Sequence, residues 1–389
     1  LEHKDKIAVV CKLMPLYRLG VFQKLTNYVG DFKFTMFGDT KTQGGIEIIN
    51  WNYSEKLDGD GIRWEKTKNY FYRPELLLWQ TGIIRRILFS DFKVFIFEGA
   101  VSHLPIWLFA LLCKLSNKKV LLWTHGFKGT DKGVSKIIRT IFFKFLADGL
   151  LLYGHHQRRI MIANQFDPNK LFVIYNSLRS DLQFKILEGL DQRVINKRKS
   201  EIFKNPDLST IIFIGRLVAH KGVMEIIKAC NDLKNSGLHL NCIFIGEGPE
   251  KETLFKYIQE NSLNNRVHFT GSLYEENEIA KYFSMSDLMV SPGNVGLNCI
   301  HSLAYGVPVL THDNYKFQNP EVEAIVEGDT GAFFQHGNYM DFLEKLKTWL
   351  KLNRNKDLNK RFCQEKIKKT YNPSNQAQSI VNSISGLNY

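Results

Sequence analysis

The feature that most constrains this chain is a rhythm. Short apolar runs alternate with longer stretches whose apolar residues recur at helical spacing. In the first half, KIAVVCKLMP (6–15), FKFTMFGD (32–39), FKVFIFEG (92–99), VLLWTHG (120–126), GLLLYG (149–154) and LFVIYNS (171–177) read as strands. LGVFQKLTNYV (19–29), RPELLLWQTGIIRRILF (73–89), LPIWLFALLCKL (104–115), SKIIRTIFFKFLA (135–147) and HHQRRIMIANQF (155–166) read as helices. Unbroken apolar strands between amphipathic helices predict parallel sheets covered on both faces. The rhythm fails over 178–208, where QRVINKRKSEIFKNPD is polar and basic, and restarts with TIIFIG (210–215), LNCIFIG (240–246), RVHFTG (266–271), DLMVSP (287–292) and VPVLTHD (307–313). The expected architecture is α/β: two Rossmann-like domains, 1–177 and 209–372, joined by a linker over 178–208. A helix at about 373–389 is expected to pack back on the first domain. A length of 389 residues suits two domains. Open sheets of this kind bind ligands beyond the carboxyl ends of their strands, so the expected site is a cleft between the halves.

Composition narrows the function. The six cysteines (Cys11, Cys113, Cys230, Cys242, Cys299, Cys363) lie far apart without a CxxC pair, which favours reduced thiols over a disulfide scaffold or zinc site. A net charge of +13 attracts nucleic acid, an anionic membrane or a phosphate-bearing substrate. No RNA-binding or helix-turn-helix signature accompanies it, so no nucleic-acid partner is expected. No signal peptide is read. The longest strongly apolar run, Leu104–Leu115, contains Pro105 and falls short of the about 20 residues that span a bilayer. The expected location is cytoplasmic, with contact at the inner face of the plasma membrane through Lys132, Lys136, Arg139 and Lys144 beside Phe142, Phe143 and Phe145. A buried helix with a solvated cationic edge is the competing reading of that segment.

The chemistry-bearing motifs follow strands. In FIGRLVAHKG (213–222), Arg216 and Lys221 flank a turn that Gly215 and Gly222 allow, ahead of a helix. Two cations at that place suit a diphosphate. FIGEGPEKETL (244–254) has Lys251 where a third glycine would complete a dinucleotide fingerprint. Gly246 and Gly248 therefore read as a tight turn, with Glu247 as a candidate polar contact. LWTHG (122–126) places His125 at a strand end, suited to hydrogen-bonding a substrate hydroxyl or to proton transfer. Asp58-Gly59-Asp60 is the sole Asp-x-Asp and sits in a polar turn, so no metal is expected there. HExxH, Walker A and GxSxG motifs are absent.

Together, GRLVAHKG, IGEGPEKETL, VHFTGSLYEENEIAKYFSMSDLMVSP, HSLAYGVPV and EAIVEGDTG, in that order over 210–332, resemble the retaining GT-B glycosyltransferases of family 4, the group 1 type that builds bacterial O-antigen and capsule. The first half is similar mainly in architecture, plus Gly20 and His125. The resemblance implies a nucleoside diphosphate sugar donor (UDP- or GDP-) held by the second domain, a glycan or lipid-linked acceptor, and neither cofactor nor metal. It implies that Arg216 and Lys221 hold the diphosphate, that Gly20 lies where the first domain's loop approaches it, and that His125 faces the transferred sugar. Glu323 corresponds to the glutamate before the family's DG-x-TG turn.

One stretch departs from the family. In SPGNVGLNCIHSLAYGVPVLTHD (291–313), Gly293 and His301 stand where the family carries two glutamates, one for the donor sugar and one for the ribose. A neutral imidazole accepts one hydrogen bond, fewer than a carboxylate. The expectation is that His301 still meets the nucleotide, that Asn294 or Asn298 helps hold the donor, that backbone N–H groups around Val295, Gly296 and Leu297 bind the diphosphate, and that Glu321 supplies a carboxylate from the next loop. The expected reaction is front-face sugar transfer with retention, the leaving diphosphate taking the acceptor proton. A nucleotide-sugar epimerase, a non-catalytic nucleotide-sugar-binding subunit and a nucleic-acid binder stay open as rivals.

Overall fold

A computed structural model describes residues 4–40, 47–54, 61–72, 77–127, 131–352 and 356–387. The chain divides into two compact units, Leu1–Arg179 with Asn372–Tyr389, and Ser180–Tyr371.

In the first unit the strands are β1 (Asp5–Leu13), β2 (Phe32–Asp39), β3 (Trp64–Lys66), β4 (Asn69–Tyr72), β5 (Leu77–Gln80), β6 (Phe92–Glu98), β7 (Lys119–Thr124), β8 (Gly149–Leu152) and β9 (Leu171–Val173). Among the described residues a parallel sheet runs in the order β3-β2-β1-β6-β7-β8-β9. Its helices are α1 (Leu19–Thr26), α2 (Ile83–Phe89), α3 (Leu104–Leu115), α4 (Gly133–Leu146) and α5 (His155–Ala163). One core lies on each face of the sheet: Ile7, Val9, Phe22, Phe34 and Trp123 on one side, Ala8, Phe95, Phe97, Phe109 and Phe142 on the other. Alternate residues of one strand feed opposite cores, the reason the strands are apolar throughout.

The second unit holds α6 (Ser180–Glu188), α7 (Gln192–Ile202), β10 (Thr210–Ile214), α8 (Val223–Asn235), β11 (Asn241–Ile245), α9 (Lys251–Glu260), β12 (Val267–Gly271), α10 (Glu276–Ser284), β13 (Leu288–Ser291), α11 (Asn298–Ala304), β14 (Val309–His312), β15 (Gly331–Phe334), α12 (Tyr339–Lys351) and α13 (Lys356–Lys369). Its parallel sheet is ordered β12-β11-β10-β13-β14-β15. The chain then returns to the first unit as α14 (Pro373–Ser385), which packs on α1, β8 and β9.

Three expectations change. The stretch expected as a linker forms α6 and α7 and belongs to the second unit, because Gln183, Ile195 and Phe203 are buried there. The helix expected over 73–89 begins only at Ile83. Before it, β5 pairs antiparallel with β4, setting Tyr70 opposite Trp79 and letting the Gln80 amide donate to the Cys11 carbonyl at 2.9 Å. A cross-strand aromatic pair and a satisfied buried amide outweigh helical periodicity here. Finally, Phe142 and Phe143 are core residues and only Phe145 of that trio is exposed. Asp58 and Asp60 lie outside the described residues. Among the described residues no helix is long and apolar enough to cross a membrane.

Candidate functional site

In the second unit the strand order reverses between β10 and β13, the topological switch point where open α/β sheets bind ligands. Two loops leave the carboxyl ends of these strands, 215–222 and 292–297, and they are bolted together. The Gly293 N–H donates to the Lys221 carbonyl at 3.1 Å. The Lys221 ammonium donates to the Asn294 carbonyl, and the Asn298 amide donates to the Ile214 carbonyl at 2.6 Å. A Cβ on Gly293 would stand 2.4 Å from the His220 carbonyl oxygen and 2.8 Å from Lys221 Cα, so this glycine is what lets the loops meet.

The loop after β11 braces the same corner. Gly215 and Gly246 both adopt φ of +143°, and a Cβ on Gly246 would fall 1.9 Å from the Gly215 carbonyl oxygen. Only glycine suits both the dihedral and the approach. The Leu217 N–H donates to the Glu247 carbonyl at 3.0 Å, completing the brace.

The arrangement leaves two cations at the switch point. Arg216 is exposed, and Lys221 is half-buried, with burial pushing its ammonium pKa down. Among the described residues neither forms an ion pair with a carboxylate. Two such cations on one strand-end loop have the chemistry that suits an anion.

Of the other expected residues, Asn294 turns its amide to the Phe317 carbonyl at 2.9 Å, while Gly296 is left-handed at φ +55°. The N–H of Val295 is not available as expected, since it donates to the Gln318 side chain at 3.0 Å, and Gln318 in turn donates to Thr311 Oγ1 at 2.8 Å. Leu297 leads directly into α11. Glu247 is exposed and paired with Lys251 at 2.7 Å. Glu321 does not stand open to a ligand as expected: it lies in the short turn Pro320–Ala324 with 2% of its surface exposed. Glu323 in the same turn is half-buried and more accessible.

His301 finds its carboxylate elsewhere. Its Nε2 lies 3.0 Å from Glu276 Oε1 on α10, and the ring packs against Phe283 and Tyr305. Gln183 of α6 donates to the same carboxylate oxygen at 2.8 Å. Burial pushes the Glu276 carboxyl up, but the His301 and Gln183 bonds outweigh it and hold its pKa below the ordinary value. Since the carboxylate accepts, Nε2–H is the donor to Glu276, which leaves Nδ1 as the ring atom turned to other partners. Sequence reasoning missed Glu276 because nothing local marks it as the partner of a residue 25 positions away.

In the first unit, Gly20 does not sit in an open loop. It is buried in the first turn of α1, where a Cβ would meet Pro373 Cγ at 2.8 Å, so packing of α14 explains it. His125 follows β7, half-buried, its ring 4.7 Å from that of Tyr153. Tyr153 accepts from Arg18 at 2.9 Å, and Arg18 pairs with Glu98 at 3.0 Å over the Trp123 ring. Arg18, Glu98 and Tyr153 were not singled out from sequence. They converge from three strand ends, and their only signal is Glu98-Gly99 closing β6 as His125-Gly126 follows β7.

Beyond β14, His312 is buried, and its Nδ1 accepts the Asn314 N–H at 3.2 Å. Burial and the neighbouring His336 hold its pKa down to about 4. The unfolded chain therefore binds this proton more readily, so stability falls as pH drops from about 6.5 towards 4. Unfolding free energies from urea titrations at pH 7 and pH 5 should differ by about 2 kcal/mol from this group. His312→Asn, whose Oδ1 replaces the acceptor, should flatten that difference.

Among the described residues no group of three or more His, Cys, Asp or Glu is placed to hold a metal ion.

The family model described as Glycosyl transferases group 1 matches residues 194–369. With this match and with relatives named as transferases, the chain is a glycosyltransferase. It is 25% identical over 317 residues to protein CapJ of Staphylococcus aureus, spanning 76% of this chain and 73% of CapJ. Its fold is GT-B. It resembles the lipopolysaccharide outer core galactosyltransferase WaaB (TM-score 0.70, 13% identity, 98% of this chain and 99% of that one). It also resembles Anabaena Alr3699/HepE in complex with UDP (TM-score 0.70, 13% identity, 98% of this chain and 100% of that one). At that identity the likeness is one of fold.

Proposed function

We propose that this glycosyltransferase moves a sugar from a nucleoside diphosphate donor to a hydroxyl of a glycan or lipid-linked acceptor, with retention, in cell-surface polysaccharide synthesis. The observation that carries the reading is the pair of cations, Arg216 and Lys221, at the switch point, neither ion-paired with a carboxylate among the described residues. A departing nucleoside diphosphate is the anion that such a pair would stabilise as charge builds on it. HepE, with the same fold, is seen with UDP, so a uridine donor is tried first.

In this reading Nδ1 of His301 accepts one ribose hydroxyl, in place of the two that a carboxylate takes. Glu276 keeps the imidazole in that tautomer. Gly215, Asn294, Gly296, Leu297 and Asn298 shape the loops around the diphosphate, Glu323 and Glu247 are candidate polar contacts to the donor, and His125 meets the transferred sugar. The scheme uses no metal.

Thermal unfolding with UDP, GDP and inorganic phosphate tests the reading. A nucleotide at 100 times its Kd should add about 2.7 kcal/mol to stability. If neither diphosphate raises the Tm, the donor assignment fails. His301→Ala should raise the donor KM while leaving kcat nearer the wild type; an unchanged KM removes His301 from the ribose.

A further inference from the structure

The positive charge of this chain is not where its proposed donor site is. Leu1–Arg179 with Asn372–Tyr389 contain 27 Lys and Arg against 15 Asp and Glu, while Ser180–Tyr371 contain 25 against 24. Nearly all of the +13 excess thus belongs to the first unit, and nucleotide binding in the second does not account for it.

The same unit exposes apolar helix faces. On α4, Val134, Ile137, Ile138, Ile141 and Phe145 are exposed, with Val134 at 70% and Phe145 at 68%. Their spacing of three, four, seven and eleven residues from Val134 is the stripe by which a helix normally meets a core. Here the core is met from another side, by Phe142 and Phe143. Lys144, exposed, borders the stripe, and exposed Lys132 precedes the helix. The neighbouring α3, tied to α4 through the Trp107 and Phe142 rings at 4.8 Å, repeats the pattern with exposed Leu104, Leu108, Leu111 and Leu115. Apolar stripes of this extent on a soluble surface mark a contact with something apolar.

We propose that the outer faces of α3 and α4 dock on an anionic lipid bilayer. Charge complementarity selects this occupant. The apolar stripe enters the acyl boundary, its lysine border meets anionic headgroups, and each such cation near the surface strengthens binding. The proposal stands apart from sugar transfer, because lipid binding is measured without donor or acceptor. It also gives the first unit a reason for its charge.

The experiment is flotation of the full chain with phosphatidylcholine vesicles and with vesicles containing phosphatidylglycerol, at low and high salt. Wild type should float with phosphatidylglycerol at least about ten-fold better than with phosphatidylcholine, and high salt should weaken binding. The triple variant Ile137→Ser, Ile141→Ser, Phe145→Ser should lose at least about ten-fold in binding while keeping the wild-type Tm, since all three side chains are already exposed. Lys132→Glu with Lys144→Glu should abolish the preference for phosphatidylglycerol. The proposal is overturned if wild type floats with neither vesicle, or if the serine variant floats as wild type does. It is equally overturned if wild type is a dimer by light scattering that the serine variant converts to monomer, since a second copy then covers the face.

Discussion

Arg216→Ala and Lys221→Ala are each expected to lower kcat by roughly 100-fold or more, the scale for removing one preorganised group that stabilises developing charge. The two should not fail in the same way. Arg216 is exposed and without an ion-pair partner among the described residues, so its loss should leave the unfolding free energy within about 0.5 kcal/mol of wild type. Lys221 is half-buried and bonded to the Asn294 carbonyl across the two loops, so its removal should also loosen 292–297 and weaken UDP binding. Lys221→Arg should not rescue fully, because a planar guanidinium does not replace a compact ammonium on that carbonyl. Burial already lowers the Lys221 pKa, so its charge is the one that bound diphosphate would most reinforce. Near-normal turnover in both alanine variants would remove the pair from the reaction.

What sequence made legible here has a physical pattern. The parallel strands showed themselves because residues buried on both faces leave an unbroken apolar run, as in IIFI of β10 or CIFI of β11. Arg216 and Lys221 showed themselves because a strand end followed by glycine and a helix is a local signal. What stayed hidden is where the deciding partner is remote. Gly246 read as a tight turn and is one, but sequence did not show that the Gly215 carbonyl beyond another strand also requires it. Gly20 read as an approach to ligand, yet its neighbour is Pro373 from the far end of the chain. Glu321 carried a carboxylate in the right stretch, but sequence does not show that its turn folds the side chain inward. The β4–β5 hairpin was hidden because apolar residues at 77–79 satisfy helical spacing as well as strand spacing.

Restoring glutamate at Gly293 is expected to destroy activity rather than improve it. The resemblance places a donor-facing carboxylate at this position, so Gly293→Glu would appear to repair the motif. The structure argues the reverse. A Cβ there would lie 2.4 Å from the His220 carbonyl oxygen and 2.8 Å from Lys221 Cα, and those are backbone atoms that cannot swing aside. Accommodating it must part the loops, breaking the Gly293 N–H bond to Lys221 and carrying the Lys221 ammonium off Asn294. Gly293→Ala alone should therefore cost about 1–3 kcal/mol of stability, the range for overpacking a filled site. Gly293→Glu should add a kcat loss on the scale of Lys221→Ala, roughly 100-fold. The decisive comparison is the double variant Gly293→Ala with Lys221→Ala. If Gly293 acts by placing Lys221, the two losses in kcat will not add, because residues sharing one contact are coupled. Full additivity, or a Gly293→Glu enzyme faster than wild type, would mean that this corner of the fold has room for the missing acid and that Lys221 is positioned by something else.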